Sequence, residues 1–223
     1  MHIEPGVVDG AKILLSYATA AGVGAYTLKL AADTVRARGL TSLVARTALA
    51  TGAVFSFFEI LPHYPVGVSE VHFILGSTLF LLLGAAPAAI GLALGLLMQG
   101  LFFAPTDLPQ YGMNVTTLLV PLFALRALAG RIIAPNTPYV DLKYRQALAL
   151  SVAYQGGVVA WVAFWAFYGE GAGALHGIAM FSGAYMLVVL IEPLADLAVL
   201  AGAKTLRGLA GTGLVTRRLF AAA

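Results

Sequence analysis

Four histidines, ten acids and no cysteine carry whatever chemistry this 223-residue chain can do. Without cysteine there are no disulfides, iron–sulfur clusters or thiolate metal sites. The histidines are His2, His63, His72 and His176. His2 is distinguished by its place. The aminopeptidase that removes initiator methionine accepts only small second residues, so Met1 is expected to stay, with its α-amine beside His2. An X-His N-terminus offers three nitrogens in chelating order: the α-amine, the His2 amide nitrogen and the His2 imidazole Nδ1. They close a five-membered and then a six-membered ring around one ion, and a planar nitrogen set suits Ni(II) or Cu(II). A fourth nitrogen, from an outward histidine, completes the square. His72 is the first choice, after the loop Pro65-Val-Gly-Val-Ser-Glu70-Val71 and at the head of an apolar segment. His63, in Pro62-His63-Tyr64-Pro65, is the rival, and His176 is third. Imidazoles titrate near pH ~6.5 and the α-amine near pH ~8, so such a site should lose affinity in acid.

Other residues have a structural explanation beside a chemical one. Glu59 reads first as a snorkelling interfacial acid, and otherwise as one that pairs with Lys12 or sits close to a metal. Asp9 is placed to cap the first helix. Glu192 and Asp196 are four apart, hence on one helix face, and are expected to pair with Arg126 or Arg46 or with a partner subunit. Gln99 and Gln155 read as interhelical hydrogen-bonders. Trp161, Phe164, Trp165, Phe167 and Tyr168 read as an interfacial aromatic belt.

The elements that must position these groups follow from composition. The chain is 60% hydrophobic and 10% charged, with mean hydropathy +0.90. A soluble domain carries about 25% charge. Too few polar residues remain to cover a water-facing surface, which excludes an ordinary soluble protein, a disordered chain and a nucleic-acid reader. What is left is an all-α polytopic membrane bundle. Met1 to Val8 has no basic stretch or cleavage pattern of a secretory signal, so the mature chain is expected to begin at Met1. Apolar runs predict about seven transmembrane helices, near 10–33, 41–60, 71–84, 87–104, 114–130, 146–168 and 174–200. The third is short enough to be a re-entrant half. With the N-terminus outside, twelve of the thirteen basic residues fall on the inner side and only Lys12 on the outer. That asymmetry orients the chain N-out with a cytoplasmic C-terminus. Residues 1–223 form one domain, with 1–9 as the outer chelating segment and 201–223 as a basic cytoplasmic tail holding Lys204, Arg207, Arg217 and Arg218.

Three stretches resemble one known family. They are Met1-His2-Ile3-Glu4-Pro5-Gly6, then Pro65 to His72 followed by Phe73-Ile-Leu-Gly76, and Leu96-Leu-Met-Gln99 through Ala104 to Tyr111-Gly-Met-Asn114. They resemble, in order, the CbiM/NikM substrate-specific (S) components of energy-coupling-factor importers for cobalt and nickel. The resemblance implies seven helices and an outside N-terminus inserted into the bundle. It also implies a Ni²⁺ or Co²⁺ substrate held by Met1 (amine), His2 (amide and imidazole) and His72, with Asn114 as a supporting residue. The chain departs from the family pattern in the exchanged Glu4-Pro5 and in a bulkier loop with Val66, Val68, Glu70 and Val71, where Glu70 can add an oxygen ligand.

The chain carries no Gly-x-x-x-x-Gly-Lys-Ser/Thr phosphate loop. An importer would therefore need separate ATPase subunits and a coupling transmembrane subunit, in a bacterial or archaeal cytoplasmic membrane, with no organic cofactor and no nucleic acid. Two other classes remain open. One is an S component for an organic ligand such as a vitamin, in a pocket lined by Tyr64, Tyr111 and Trp161. The other is a membrane-embedded metal-dependent enzyme using Glu59, His63, Glu70 and His72, although no helix carries an H-x-x-x-H or H-E-x-x-H pattern.

Overall fold

The computed structural model describes residues 3–206. Seven α-helices account for most of them: α1 (Ile13–Arg38), α2 (Leu40–Glu59), α3 (Gly76–Leu83), α4 (Ala85–Phe102), α5 (Tyr111–Ile132), α6 (Tyr144–Glu170) and α7 (Leu175–Thr205). Five helical stretches are long and apolar enough to cross a membrane, and the last of them, Tyr144–Thr205, contains both α6 and α7. The protein is a multi-pass helical membrane protein. Its outer faces agree: Leu28, Leu49, Leu187 and Leu194 are each more than 60% exposed. Water would penalise that surface, whereas lipid accepts it.

The core lies where α4 and α5 run through the middle of the bundle. Gly91 and Gly95 of α4 bring that helix against Ala50 and Val54 of α2, a close approach of the small-residue kind that membrane helices use. Trp165, Tyr154 and Tyr185 from α6 and α7 fill the other side and are fully buried. Trp165 is thus core, not belt, and its indole N–H donates to Thr116 Oγ1 at 3.2 Å.

Most expected segments match helices within a few residues. α1 runs beyond its expected end at residue 33 because Asp33 and Arg36 stay exposed and pair with each other at 3.3 Å. The third segment is the larger difference. Residues 69–71 are a strand, and only Gly76–Leu83 is helical, eight residues or about 12 Å of rise. Gly84 ends α3 with φ +90°, a conformation suited to glycine, and α4 begins at the next residue. The expected tail is helical to Thr205. Arg207, Arg217 and Arg218 lie outside the described residues.

An element that the apolar pattern does not announce is a two-stranded hairpin, β1 (Tyr64–Val66) with β2 (Ser69–Val71), with Val66 opposite Ser69. Its two-residue loop is Gly67-Val68, with Gly67 at φ +63° and no positive φ at Val68, the pattern of a II′ turn with glycine first. The tip rests on α7, so closely that a Cβ on Gly67 would lie 3.2 Å from Gly177 Cα.

Charge divides the molecule along its length. The hairpin pole holds Glu4, Asp9, Glu59, Glu70, Asp107 and Glu170 with Lys12, while Arg36, Arg38, Arg46, Arg126, Arg131 and Lys143 gather towards the other with Asp33 and Asp141.

Candidate metal centre

The site is built by docking the N-terminal segment onto the hairpin. Ile3 forms an antiparallel bridge with Ser69 of β2, and Glu4 N–H donates to the Val68 carbonyl at 3.1 Å. The buried Ile3 N–H donates to Asn114 Oδ1 at 2.8 Å, at the start of α5. Ile3, Val7 and Val8 are buried, and Val7 packs against Gly169 near the end of α6. Backbone pairing, one buried amide acceptor and three apolar anchors thus draw the segment into the bundle.

His72 follows β2 and is 1% exposed. Its Nε2 lies 2.7 Å from Glu70 Oε2. The His63 ring stacks on it at 5.0 Å between centroids and 9° between planes, and Phe58 covers another side at 5.2 Å. His63 Nδ1 is 3.2 Å from the Leu61 carbonyl. The pole is acidic: the carboxyl of Glu4 is held above its ordinary value, first by burial and then by the negative charges of Glu70 and Asp107. Such a pole favours a cation.

The residues singled out in the sequence are distributed as follows. His72, Glu70 and His63 come together, and Asn114 holds the neighbouring segment through Ile3. Met1 and His2 lie outside the described residues. Glu59, at the end of α2, is half-buried and makes no ion pair with Lys12, which instead donates to the Gly169 carbonyl at 2.5 Å. His176 is exposed at the start of α7. Asp9 precedes α1, but its side chain makes no capping hydrogen bond. Of the aromatics considered for an organic ligand, Tyr64 is 66% exposed. Tyr111 donates to the Ala93 carbonyl, and Trp161 donates to Thr116.

The acids of α7 are corrected outright. Glu192 and Asp196 pair with neither Arg46 nor Arg126. Glu192 accepts hydrogen bonds from the Ile74 and Leu75 N–H groups, both at 2.8 Å, and from the Gln155 side-chain amide. Asp196 accepts from the Ser77 hydroxyl at 2.5 Å and from the Thr78 hydroxyl. Arg46 donates to the Ser42 and Leu83 carbonyls, and Arg126 to the Tyr26 hydroxyl. The acids secure the N-terminal end of α3, just beyond His72. The polar run Gly76-Ser-Thr78 is the sequence signal for this arrangement. Gln155 is an interhelical hydrogen-bonder, as expected, with Tyr185 donating to its Oε1 at 2.6 Å.

Among the described residues no three His, Asp or Glu side chains stand close enough to hold a metal ion together.

A bundle with a buried N-terminal segment, a histidine–carboxylate pair and an acidic pole defines a polytopic membrane protein suited to handling cations. Residues 2–208 match the family described as CbiM, cobalt uptake substrate-specific transmembrane region. The chain belongs to this family. It is a metal-transport protein and not an enzyme, which overturns the membrane-enzyme alternative. Two crystal structures share the fold. One, of a transition metal transporter, has 18% identity and TM-score 0.69, covering 96% of this chain and 100% of that one. The other, of a truncated transition metal transporter, has 18% identity and TM-score 0.67, covering 90% and 97%. No curated protein matches the sequence.

Proposed function

We propose that this protein is the substrate-capturing subunit of an energy-coupling-factor importer for a divalent transition metal, nickel or cobalt. The ion is captured from outside by the Met1 amine, the His2 amide and imidazole nitrogens, and the His72 imidazole. The observation that carries this reading is the docked N-terminal segment: its buried Ile3 amide is bonded to Asn114 and Ile3 bridges Ser69, on the hairpin that leads into His72. The Glu70 carboxylate on His72 Nε2 fits the carboxylate–histidine–metal arrangement, in which the acid fixes the tautomer that presents Nδ1. His63 and Glu59 are further donors near the same pole.

The rest of the reading follows. The helices span the membrane seven times in all, with α3 completing a span shared with its flanking loop. The metal pole faces outward and the basic pole faces the cytoplasm, in keeping with the positive-inside rule. Residues 1–223 act as a single S-component domain with a basic cytoplasmic tail. Separate ATPase subunits and a coupling membrane subunit supply the energy, in a bacterial or archaeal cytoplasmic membrane.

The test is metal content and affinity for Ni(II) and Co(II) of protein purified with an authentic, untagged Met1, beside His2→Ala and His72→Ala. Near-stoichiometric metal that is lost in both variants is expected. Metal retained in both, or none in the wild type, sinks the four-nitrogen site.

A further inference from the structure

At the pole opposite the hairpin a cavity of about 1260 Å³ lies among the end of α1, the start of α2, the α3–α4 junction and the end of α5. Four arginines line it, Arg38, Arg46, Arg126 and Arg131, and no Asp or Glu does. Arg46 is the inner one, 8% exposed. Its Nε donates to the Ser42 carbonyl at 3.0 Å and one terminal nitrogen to the Leu83 carbonyl at 2.7 Å. Its other terminal nitrogen is buried and has no hydrogen-bond partner among the described residues. Arg38 and Arg131 are exposed and make no hydrogen bond or ion pair with any described residue, and Arg126 meets only the Tyr26 hydroxyl. The remaining lining is largely apolar, including Phe80, Leu81, Leu82 and Leu49, and Leu49 is 66% exposed on the outer face of α2.

We propose that this cavity binds the phosphate headgroup of an anionic phospholipid, with the acyl chains running along Leu49 and its apolar neighbours. Three observations bear on it together. Four like charges around one space repel unless an anion sits among them. A buried guanidinium N–H without an acceptor is costly, and a phosphate oxygen is the geometric match for the guanidinium fork. The wall joins these charges to apolar surface that reaches the lipid-facing side, which suits an amphiphile and gives a free inorganic anion nothing. Basic pockets between membrane helices hold anionic headgroups by the same logic.

The test uses the full-length protein in neutral detergent. Thermal unfolding is followed during titration with phosphatidylglycerol, with phosphatidylcholine of the same chains, and with inorganic phosphate. Retained lipid is identified by native mass spectrometry. Arg38→Gln and Arg131→Gln are the main variants because neither side chain holds a structural contact, while Arg46→Gln also removes the bond to Leu83. Phosphatidylglycerol is expected to stabilise the wild type well beyond phosphatidylcholine. Each single variant should weaken its apparent affinity about fivefold, and the double variant about 25-fold. Equal stabilisation by the two lipids, or unchanged affinity in the double variant, overturns the proposal. A phosphate shift matching that of phosphatidylglycerol overturns the lipid as the source.

Discussion

Replacing Asn114 by alanine asks whether docking of the N-terminal segment builds the metal site. Asn114 is 1% exposed and Ile3 is fully buried, so the variant leaves the Ile3 N–H without its acceptor at 2.8 Å. An orphaned buried amide costs about 1–3 kcal/mol. Whether that matters depends on the margin. Burying Ile3, Val7 and Val8 contributes about 5–9 kcal/mol, and ordering the backbone from Ile3 to Val8 costs about 6–12 kcal/mol. The apolar gain and the entropy nearly cancel, so the Glu4–Val68 backbone bond and the Asn114 bond decide whether the segment docks. Because the binding-competent fraction scales the apparent affinity, Asn114→Ala should weaken Ni(II) or Co(II) binding about 5- to 150-fold. Asn114→Asp keeps an acceptor oxygen in either protonation state and should recover most of the affinity. Calorimetric titration of the untagged protein reads the affinity, and amide hydrogen exchange at Ile3 and Glu4 reads docking. Exchange that rises in Asn114→Ala while metal affinity stays at the wild-type value would refute the reasoning.

Three further outcomes follow from the geometry. Glu70→Gln removes the carboxylate from His72 Nε2 and should weaken metal binding about 10- to 100-fold with little loss of stability, read by the same titration; an unchanged affinity dissociates Glu70 from the site. Glu192→Leu leaves the Ile74 and Leu75 amides and the Gln155 side chain without their acceptor, a loss of about 3–9 kcal/mol. Glu192→Gln retains an acceptor and should lose about 1–2 kcal/mol, so thermal unfolding of the two in one detergent checks the order. Gly67→Val forces a β-branched residue to φ +63° and drives its Cβ onto the Gly177 backbone; a loss of about 2–5 kcal/mol is expected, and wild-type stability would show that the hairpin tip does not need this contact.

The helices were legible because a bilayer asks for one thing, a run of about 20 apolar residues, and this chain supplies such runs between Gly39, Pro62, Gly84 and Pro105. Burial in lipid does not ask for amphipathic periodicity, so the sequence told less about which face meets which. Trp165 illustrates the gap. It lies four residues from Trp161 in an aromatic run and shares the same acceptor, Thr116 Oγ1, yet it is fully buried while Trp161 is only half-buried. The hairpin was hidden because Tyr64 to Val71 has only three residues to each strand, and its pairing with Ile3 comes from far along the chain. His72 and Asn114 were reachable from motif order and residue type. The role of Asn114 towards Ile3, the carboxylate of Glu70 on His72 and the stacking of His63 came only with three-dimensional proximity. The acids of α7 were misassigned for a clear reason: a buried carboxylate suggests a basic partner, but backbone and hydroxyl donors serve as well when they converge.

That misassignment leads to the feature that joins the two ends of the molecule. An eight-residue helix has too few internal hydrogen bonds to persist alone, and α3 leaves its terminal groups to be satisfied by others. Glu192 takes the Ile74 and Leu75 amides and Asp196 takes the Ser77 and Thr78 hydroxyls, all at the N-terminal end. Arg46 takes the Leu83 carbonyl at the C-terminal end. The polarity suits each end, with carboxyl oxygens accepting at the N–H end of α3 and a guanidinium donating at its C=O end. Glu192, Asp196 and Arg46 are buried, and these hydrogen bonds offset the cost of taking their polar groups out of water. Had Arg46 paired directly with Glu192, α3 would have been left uncapped at both ends. Held apart by about 12 Å of helix, they fix α3 between His72, two residues ahead of Ile74, and the arginine cavity whose wall includes Leu83. The position of His72 is thereby tied to buried polar groups on α7 and α2 as well as to the hairpin that presents it.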